Sequence, residues 1–471
     1  MENKTNKAVK AGIGYTIGNV LVKGIGFLTV PIFSRLLTTE EFGVVNVFLS
    51  YGSILFVIIG LAIHSSIRSA NIEFKGEIDR YTSSVSLVYI ANLLLFLGII
   101  LIFGASLGTL LDFSKPILYM LILYSFGQAV LTLYNDRISL DYDYSQYLLI
   151  ALINSLGNVG LSLLLILTIF QDSRDFGRIL GSTIPVFVLS CILLLKLYQK
   201  SKPQFIKEYI IFALKYSLPI VPHGISQILL AQFDRIMIRS MIGDAAAGIY
   251  SLANNLKLIL TIISDSIATA WSTWFYEEME KANTKSIQKR AAQLCGFFCV
   301  LTIGLMAISP ELILFLGGEK YIEGKYVAVP MIIDAFIVFI YNIIVVSEYY
   351  KKKTAFIMLG TMIAAVINVI MNIVFINLYG FIAAAYTTLF SYGCYLTLHM
   401  IISKKLVGFD VLELKYLFFY IGIITVCAFI DLKFSNFILI RCSISALIGI
   451  PLAIRLANDI GITQKYLHKE R

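Results

Sequence analysis

Fourteen long apolar stretches punctuate this chain, near residues 11–32, 42–64, 83–104, 116–134, 147–170, 178–195, 212–233, 245–265, 291–316, 326–347, 354–376, 380–402, 414–431 and 437–456. A hydrocarbon layer about 30 Å thick is crossed by roughly 20 apolar residues in a helix. Six of the stretches contain no Asp, Glu, Lys or Arg, and the region 354–402 runs 49 residues without one, broken only by a turn-like segment at Asn377–Gly380. An exterior so poor in charge must face lipid. The hydrophobicity is continuous rather than alternating, which excludes a transmembrane barrel and requires helices whose backbone bonds close internally. The pattern therefore predicts an all-α polytopic membrane protein with about 14 transmembrane helices.

Composition strengthens this picture. Apolar residues make up 58% and charged residues 14% of the 471 residues, against about 25% charged in soluble domains. The first apolar stretch exceeds the h-region of a cleavable signal and lacks a small-residue cleavage site before a soluble domain, so it is expected to remain as a span. The six cysteines lie within or at the edges of the stretches, form no CxxC pair and read as buried thiols. Four scattered histidines give no metal-ligand pattern, and no metal or cofactor is expected. No phosphate-binding GxxxxGK[ST] and no nucleophile–base arrangement is present, so the chain is not expected to be an enzyme or to hydrolyse ATP.

The net charge of +9 invites a nucleic-acid reading, but its distribution is topological. With the N-terminus placed in the cytoplasm, 24 of the 38 basic residues fall on inner segments and 10 on outer ones. That bias puts the N-terminus inside, and an even number of spans returns the C-terminus to the same side. No nucleic-acid partner is expected. The longest polar stretches, 65–82, 196–210 and 266–290, are then cytoplasmic. The last, with Trp271, Trp274, Phe275 and Tyr276, reads as a helix end followed by an amphipathic piece lying on the membrane surface.

An internal repeat organises the chain. Pro31–Asn46, after the first stretch, resembles Phe233–Ser251, after the seventh, with Gly43 over Gly248 at an offset of 205. Each copy is a span, an Arg-bearing exit, a Thr or Asp helix cap, a glycine and the next span. Six stretches separate the copies. This predicts two six-helix halves, 1–202 and 203–403, followed by an extra helix pair at 404–471. Duplicated halves with a midplane site are a transporter architecture.

Polar residues inside the stretches recur at spacings of three and four, which places each set on one helix face. The sets are Gly12, Thr16, Asn19 and Lys23; Asn46, Ser50, Ser53, Gly60 and His64; His223, Ser226, Gln227 and Asp234; and Tyr250, Asn254, Lys257, Thr261 and Asp265. Lys23 and Lys257 carry the strongest signal, because an ionised group in mid-bilayer costs on the order of 3 kcal/mol or more. Two readings stand for them: a cationic cavity for an anionic substrate such as a diphosphate head group, or a lysine that snorkels or pairs with an acid from another span. Arg35 and Arg239 end spans 1 and 7 as cavity residues or interfacial anchors, and Arg68 reads as a guard of the inner mouth or as an ordinary positive-inside residue. Asp265, Asp334 and Glu348 are candidates for proton or sodium coupling or for structural hydrogen bonds. Pro219 and Pro222 predict a kink early in span 7. The amide pairs Asn154/Asn158 and Asn368/Asn372 read as interhelical glue.

Gly14-Tyr15-Thr16-Ile17-Gly18-Asn19, Lys23-Gly24 and Pro31-Ile32-Phe33-Ser34-Arg35-Leu36-Leu37-Thr38-Thr39-Glu40-Glu41-Phe42-Gly43 resemble the opening of polysaccharide-repeat-unit flippases. These are the O-antigen and capsule branch of the multidrug/oligosaccharidyl-lipid/polysaccharide exporter superfamily. Asp234-Arg235, Gly243-Asp244 and Gly248-Ile249-Tyr250 resemble its second-half counterpart. The resemblance implies a flippase of the bacterial plasma membrane that moves undecaprenyl-diphosphate-linked oligosaccharide by alternating access. Its partners would be that lipid-linked substrate, the bilayer, and a polysaccharide polymerase and glycosyltransferases. It implies a cationic cavity lined by helices 1, 2, 7 and 8, where Lys23 and Lys257 stand. Lipid II flippases carry a more arginine-rich cavity, and multidrug extruders an acidic one.

Overall fold

The computed structural model describes residues 2–460, with side chains placed over 12–459 except at 13, 16 and 19. Asn19 and Thr16 of the first polar stripe thus lie outside the described side chains. The chain divides into two compact units, Met1–Arg239 and Ser240–Arg471.

The first unit holds α1 (Glu2–Leu36), α2 (Thr39–Gly60), α3 (Ile67–Glu73), α4 (Ile78–Leu111), α5 (Lys115–Ser139), α6 (Tyr144–Thr168), α7 (Arg174–Lys200), α8 (Lys207–Ser217) and most of α9 (Val221–Met241). In the second lie α10 (Asp244–Asn255), α11 (Lys257–Glu280), α12 (Thr284–Ala307), α13 (Ser309–Gly317), α14 (Lys325–Tyr350), α15 (Thr354–Tyr379), α16 (Ile382–Val407), α17 (Leu414–Lys433) and α18 (Ile438–Ile460). Helices occupy all fourteen predicted stretches. Eleven segments among the described residues are long and apolar enough to cross a membrane. Outside that set are α1, the broken pair α8–α9, and α16, whose apolar content is diluted by Ala, Thr, Ser and Tyr.

The units meet at 239/240, whereas the sequence repeat parts at 202/203. Contacts in the first unit explain the difference. Tyr209 and Phe212 of α8 join an aromatic cluster with Phe74 and Tyr81, with ring centroids 4.7 Å apart for Phe74 and Tyr209 and 5.2 Å for Phe74 and Phe212. The Tyr209 hydroxyl also donates to Glu77.

The repeat itself has a structural counterpart. Gly43 is the fifth residue of α2 and Gly248 the fifth of α10, and both are buried. The caps differ between the copies. Thr38 and Glu41 form a reciprocal capping box, with Glu41 N donating to Thr38 Oγ1 at 3.1 Å and Thr38 N to Glu41 Oε2 at 2.8 Å. In the second copy the cap residue is Gly243 at φ +129°, and Asp244 is the first helical residue, where its charge complements the dipole. The Asp cap expected there is therefore replaced by a glycine whose backbone angle an L side chain rarely adopts.

Four stretches are interrupted, among them 245–265, which breaks at Leu256 between α10 and α11. Proline removes a donor and clashes with the preceding turn. Accordingly α8 stops at Ser217, a 3₁₀ turn spans Leu218–Ile220 around Pro219, and α9 restarts at Val221 with Pro222 in its first turn. Likewise α12 ends at Ala307 and α13 starts at Ser309, with Pro310 in its first turn. Beyond α2, Leu61 and Ala62 take positive φ and send His64 into a separate 3₁₀ turn. The stripe Asn46–Gly60 is continuous, but His64 is not part of it.

The segment 266–290 also departs from expectation. It is no surface-lying piece: α11 continues through it to Glu280, and Trp271 and Phe275 are buried. The Trp271 indole donates to the Ile343 carbonyl at 2.9 Å, which anchors α11 on α14.

Within the second unit α14 is the core. It packs against α10, α11, α12 and α16, and 78% of its most apolar window is buried. At the other extreme the windows of α4 and α18 are 22% buried, with Ile102, Leu110, Leu439 and Leu447 among the most exposed apolar side chains. Surfaces of this kind need lipid.

Small residues set helix distances. Gly14 and Gly18 of α1 face Tyr144 and Leu148 of α6, and a Cβ at Gly18 would lie 2.7 Å from the Leu148 side chain. At Gly181 of α7 an added Cβ would press on the backbone of Ser162 in α6. Gly181→Ala is expected to destabilise the first unit by about 1–3 kcal/mol through overpacking. A lower thermal midpoint of the purified protein checks this, and an unchanged midpoint contradicts it.

Candidate functional site

The polar stripes can be followed residue by residue. On α1, Lys23 is half-buried and Arg35 exposed. On α2, Asn46 donates to the Phe42 carbonyl at 2.8 Å and Ser50 to the Asn46 carbonyl at 3.0 Å. Ser53 accepts from Gln232 of α9 at 3.3 Å. His64 is half-buried against Phe56, and Arg68 on α3 is exposed. On α9, His223 is half-buried just past the proline break, Gln227 is exposed and Asp234 is buried. Arg239 is an anchor within the first unit. It donates to the Asp112 carbonyl at 2.6 Å and its carboxylate at 3.2 Å, and its guanidinium lies 4.3 Å from the Phe113 ring centre.

The second unit brings two of the expected residues together. Lys257 is the first residue of α11, directly after Leu256, where the span breaks from α10. Its ammonium pairs with the carboxylate of Asp334 on α14 and lies 5.3 Å from the Tyr392 ring centre on α16. The lysine side chain is 17% exposed and the aspartate 0%. Lys257 thus has an acid partner from another span. The partner comes from the central helix, not from Asp265, which is exposed two turns further along α11. Asn254 is half-buried one turn before the lysine. An ammonium between a carboxylate and an aromatic face can exchange the carboxylate for another anion, because Tyr392 continues to favour the cation when the acid leaves.

Glu348, the other acid of α14, is also fully buried. Its Oε1 lies 2.6 Å from His399 Nδ1 on α16. Tyr341 and Tyr395 pack edge-on against the His399 ring, and Tyr395 donates to Tyr341 at 2.7 Å. His399 was not singled out in the sequence, although it stands within the 49 residues that lack charge.

Arg178 is a second omission. It sits on α7 between α1 and α6, donates to Asn158, Ser162 and Ser182 at 2.6, 2.6 and 2.9 Å, and stacks 3.9 Å above the Phe33 ring. Asn158 therefore acts as interhelical glue through an arginine. In the second unit, Asn368 donates to Thr388 at 2.9 Å and Asn372 to Asn368 at 3.2 Å, while Thr387 donates to Asn372, which joins α15 to α16. Among the described residues no group of three His, Cys, Asp or Glu is placed to hold a metal.

Known proteins share both sequence and fold with this chain. A 24% identical relative is a Haemophilus influenzae protein named for the Lsg locus, aligned over 77% of this chain and 90% of its own length. A second, described as a membrane protein of the same organism, is 24% identical over 72% of this chain and 83% of its length. Among solved structures, the lipid II flippase MurJ in an inward closed conformation superposes with a TM-score of 0.73 at 15% identity, covering 95% of this chain and 99% of that one. An inward-facing multidrug resistance MATE family transporter of the MOP superfamily gives 0.65 at 12% identity, covering 84% and 98%. These likenesses establish the fold. The model of the family described as "Polysaccharide biosynthesis protein" matches residues 8–279, more than half of the chain. With that match over a fold common to MurJ and MATE transporters, the chain belongs to the polysaccharide biosynthesis protein family of multi-pass membrane proteins.

Proposed function

We propose that this protein is a flippase that carries undecaprenyl-diphosphate-linked oligosaccharide from the inner to the outer leaflet of the bacterial plasma membrane by alternating access, with both termini cytoplasmic. The observation that carries this reading is the buried ammonium of Lys257, held between Asp334 and Tyr392 at a helix break. A diphosphate competes with the aspartate for that ammonium. Lys23 and Lys257 are the cations assigned to attracting the diphosphate cargo. Asn19, Asn254, His64, His223 and Gln227 are polar contacts along the path, and Arg35, Arg68 and Arg239 serve at its ends. Asp265, Asp334 and Glu348 are the groups assigned to proton or sodium coupling. A polymerase and glycosyltransferases would consume and supply the cargo.

Energy then comes from gradients or from consumption of cargo on the far side. A potential negative inside favours outward movement of an anion by about 2.3 kcal/mol per charge per 100 mV. Collapse of the potential is expected to slow export, and ATP depletion at a clamped potential is not. In cells, deletion of the gene should abolish a surface polysaccharide and leave its lipid-linked repeat units on the inner leaflet. Full-length surface polysaccharide in the deletion strain would contradict the assignment.

A further inference from the structure

We infer that the second unit carries a binding site for the phosphate head group of an anionic glycerophospholipid, in a cleft of about 630 Å³ between α12, α17 and α18. Four cations line this cleft: Lys285 and Lys289 from the start of α12, Lys415 from the start of α17 and Arg455 near the end of α18. Two carboxylates also line it. Glu413 is engaged by Lys415 at 2.7 Å, so among the described lining residues Asp459 is the one remaining carboxylate beside Lys285, Lys289 and Arg455, and that lining is net positive.

The floor of the cleft is held in place by packing. A Cβ on Gly296 would lie 2.7 Å from the Tyr420 hydroxyl and 2.9 Å from the Leu456 side chain, so glycine there permits the three helices to converge. The Tyr420 hydroxyl donates to the Ala292 carbonyl at 2.9 Å, and the Gln293 amide to the Asp459 carbonyl at 3.3 Å.

The surroundings select an amphiphile over a soluble anion. The cleft wall itself carries Phe419, 46% exposed, and the rest of α17 and α18 offers lipid a strongly apolar exterior, with Phe418 at 68%, Leu447 at 74% and Ile454 at 55% exposure. A phosphodiester at the mouth with acyl chains along this face satisfies both surfaces, and basic pockets between spans on the cytoplasmic side suit anionic lipid head groups. The basic-residue bias assigns this end to the cytoplasmic leaflet. None of the cleft residues belongs to the cargo path proposed above, so the inference does not rest on that reading.

The test uses the full-length protein in detergent, titrated with phosphatidylglycerol, phosphatidylcholine, inorganic phosphate or undecaprenyl diphosphate, and followed by native mass spectrometry and thermal midpoint. Phosphatidylglycerol should bind and raise the midpoint, and phosphatidylcholine should do neither. The Lys289→Gln/Arg455→Gln variant should bind phosphatidylglycerol about 30-fold more weakly. Both positions are exposed, so an unaltered elution profile is expected. Lys351→Gln/Lys352→Gln, which removes charge from the turn after α14, should bind as the parent does. Equal binding of the two phospholipids, or equal loss in both variants, would overturn the site. So would displacement of phosphatidylglycerol by millimolar phosphate, which marks a soluble-anion pocket, or a preference for undecaprenyl diphosphate, which assigns the cleft to cargo.

Discussion

Lys257→Met is expected to destabilise the second unit by about 3–5 kcal/mol and to abolish export, because removing one partner of a buried pair leaves the other charge in a low-dielectric interior. Asp334 has no exposure with which to recover hydration. The double variant Lys257→Met/Asp334→Leu removes both charges and should return the thermal midpoint to near the parent value, since apolar replacement of a buried pair is often neutral or better. It should not restore export, since the proposed transport draws the diphosphate with that cation. Lys257→Arg should retain more surface glycan than Lys257→Gln. Recovery of both stability and export in the double variant would make the pair structural and remove Lys257 from the transport path.

His399→Ala should produce the second large loss, about 3 kcal/mol or more, by leaving Glu348 without its partner and opening a void under Tyr341 and Tyr395. Both members of the pair are 0% exposed. Glu348→Gln keeps a hydrogen-bonding group against His399 and should cost less. The two thermal midpoints in detergent check the order: His399→Ala lowest, Glu348→Gln intermediate. If Glu348 takes part in ion coupling, Glu348→Gln also flattens the dependence of flipping on proton or sodium gradients. Equal midpoints for His399→Ala and the parent would contradict the pairing.

The features carried by one helix at a time were legible in the sequence. Apolar length marks helices at all fourteen stretches, and the repeat exits place Gly43 and Gly248 at the same helical register. Proline chemistry located the break before α9. Features that depend on two helices were not legible. Asp334 lies 77 residues from Lys257 and His399 lies 51 from Glu348, and no periodicity links such positions. Arg178 stands at the very start of an apolar stretch, yet it reaches three polar groups across α6 and α7, one of them, Ser162, lying against Gly181. His64 left its stripe because Leu61 and Ala62 adopt left-handed backbone angles that hydropathy does not register. The continuation of α11 past Trp271 was missed for a similar reason. Aromatics that mark a membrane interface equally suit a helix buried against α14, and only the indole bond to Ile343 decides between them.

The central claim is that the cargo is an oligosaccharide on a lipid diphosphate and that half-buried lysines draw its head group. Reconstituted vesicles test it most directly, with a fluorescent undecaprenyl-diphosphate oligosaccharide in the inner leaflet and a potassium diffusion potential clamping the membrane. The appearance of sugar at an impermeant external lectin is the readout. The account predicts transfer well above empty vesicles, faster when the potential is negative inside, and reduced to background in the stable Lys257→Met/Asp334→Leu variant. Transfer by that variant equal to the parent, or a parent that exports a cationic dye while leaving the lipid-linked sugar in place, would contradict it.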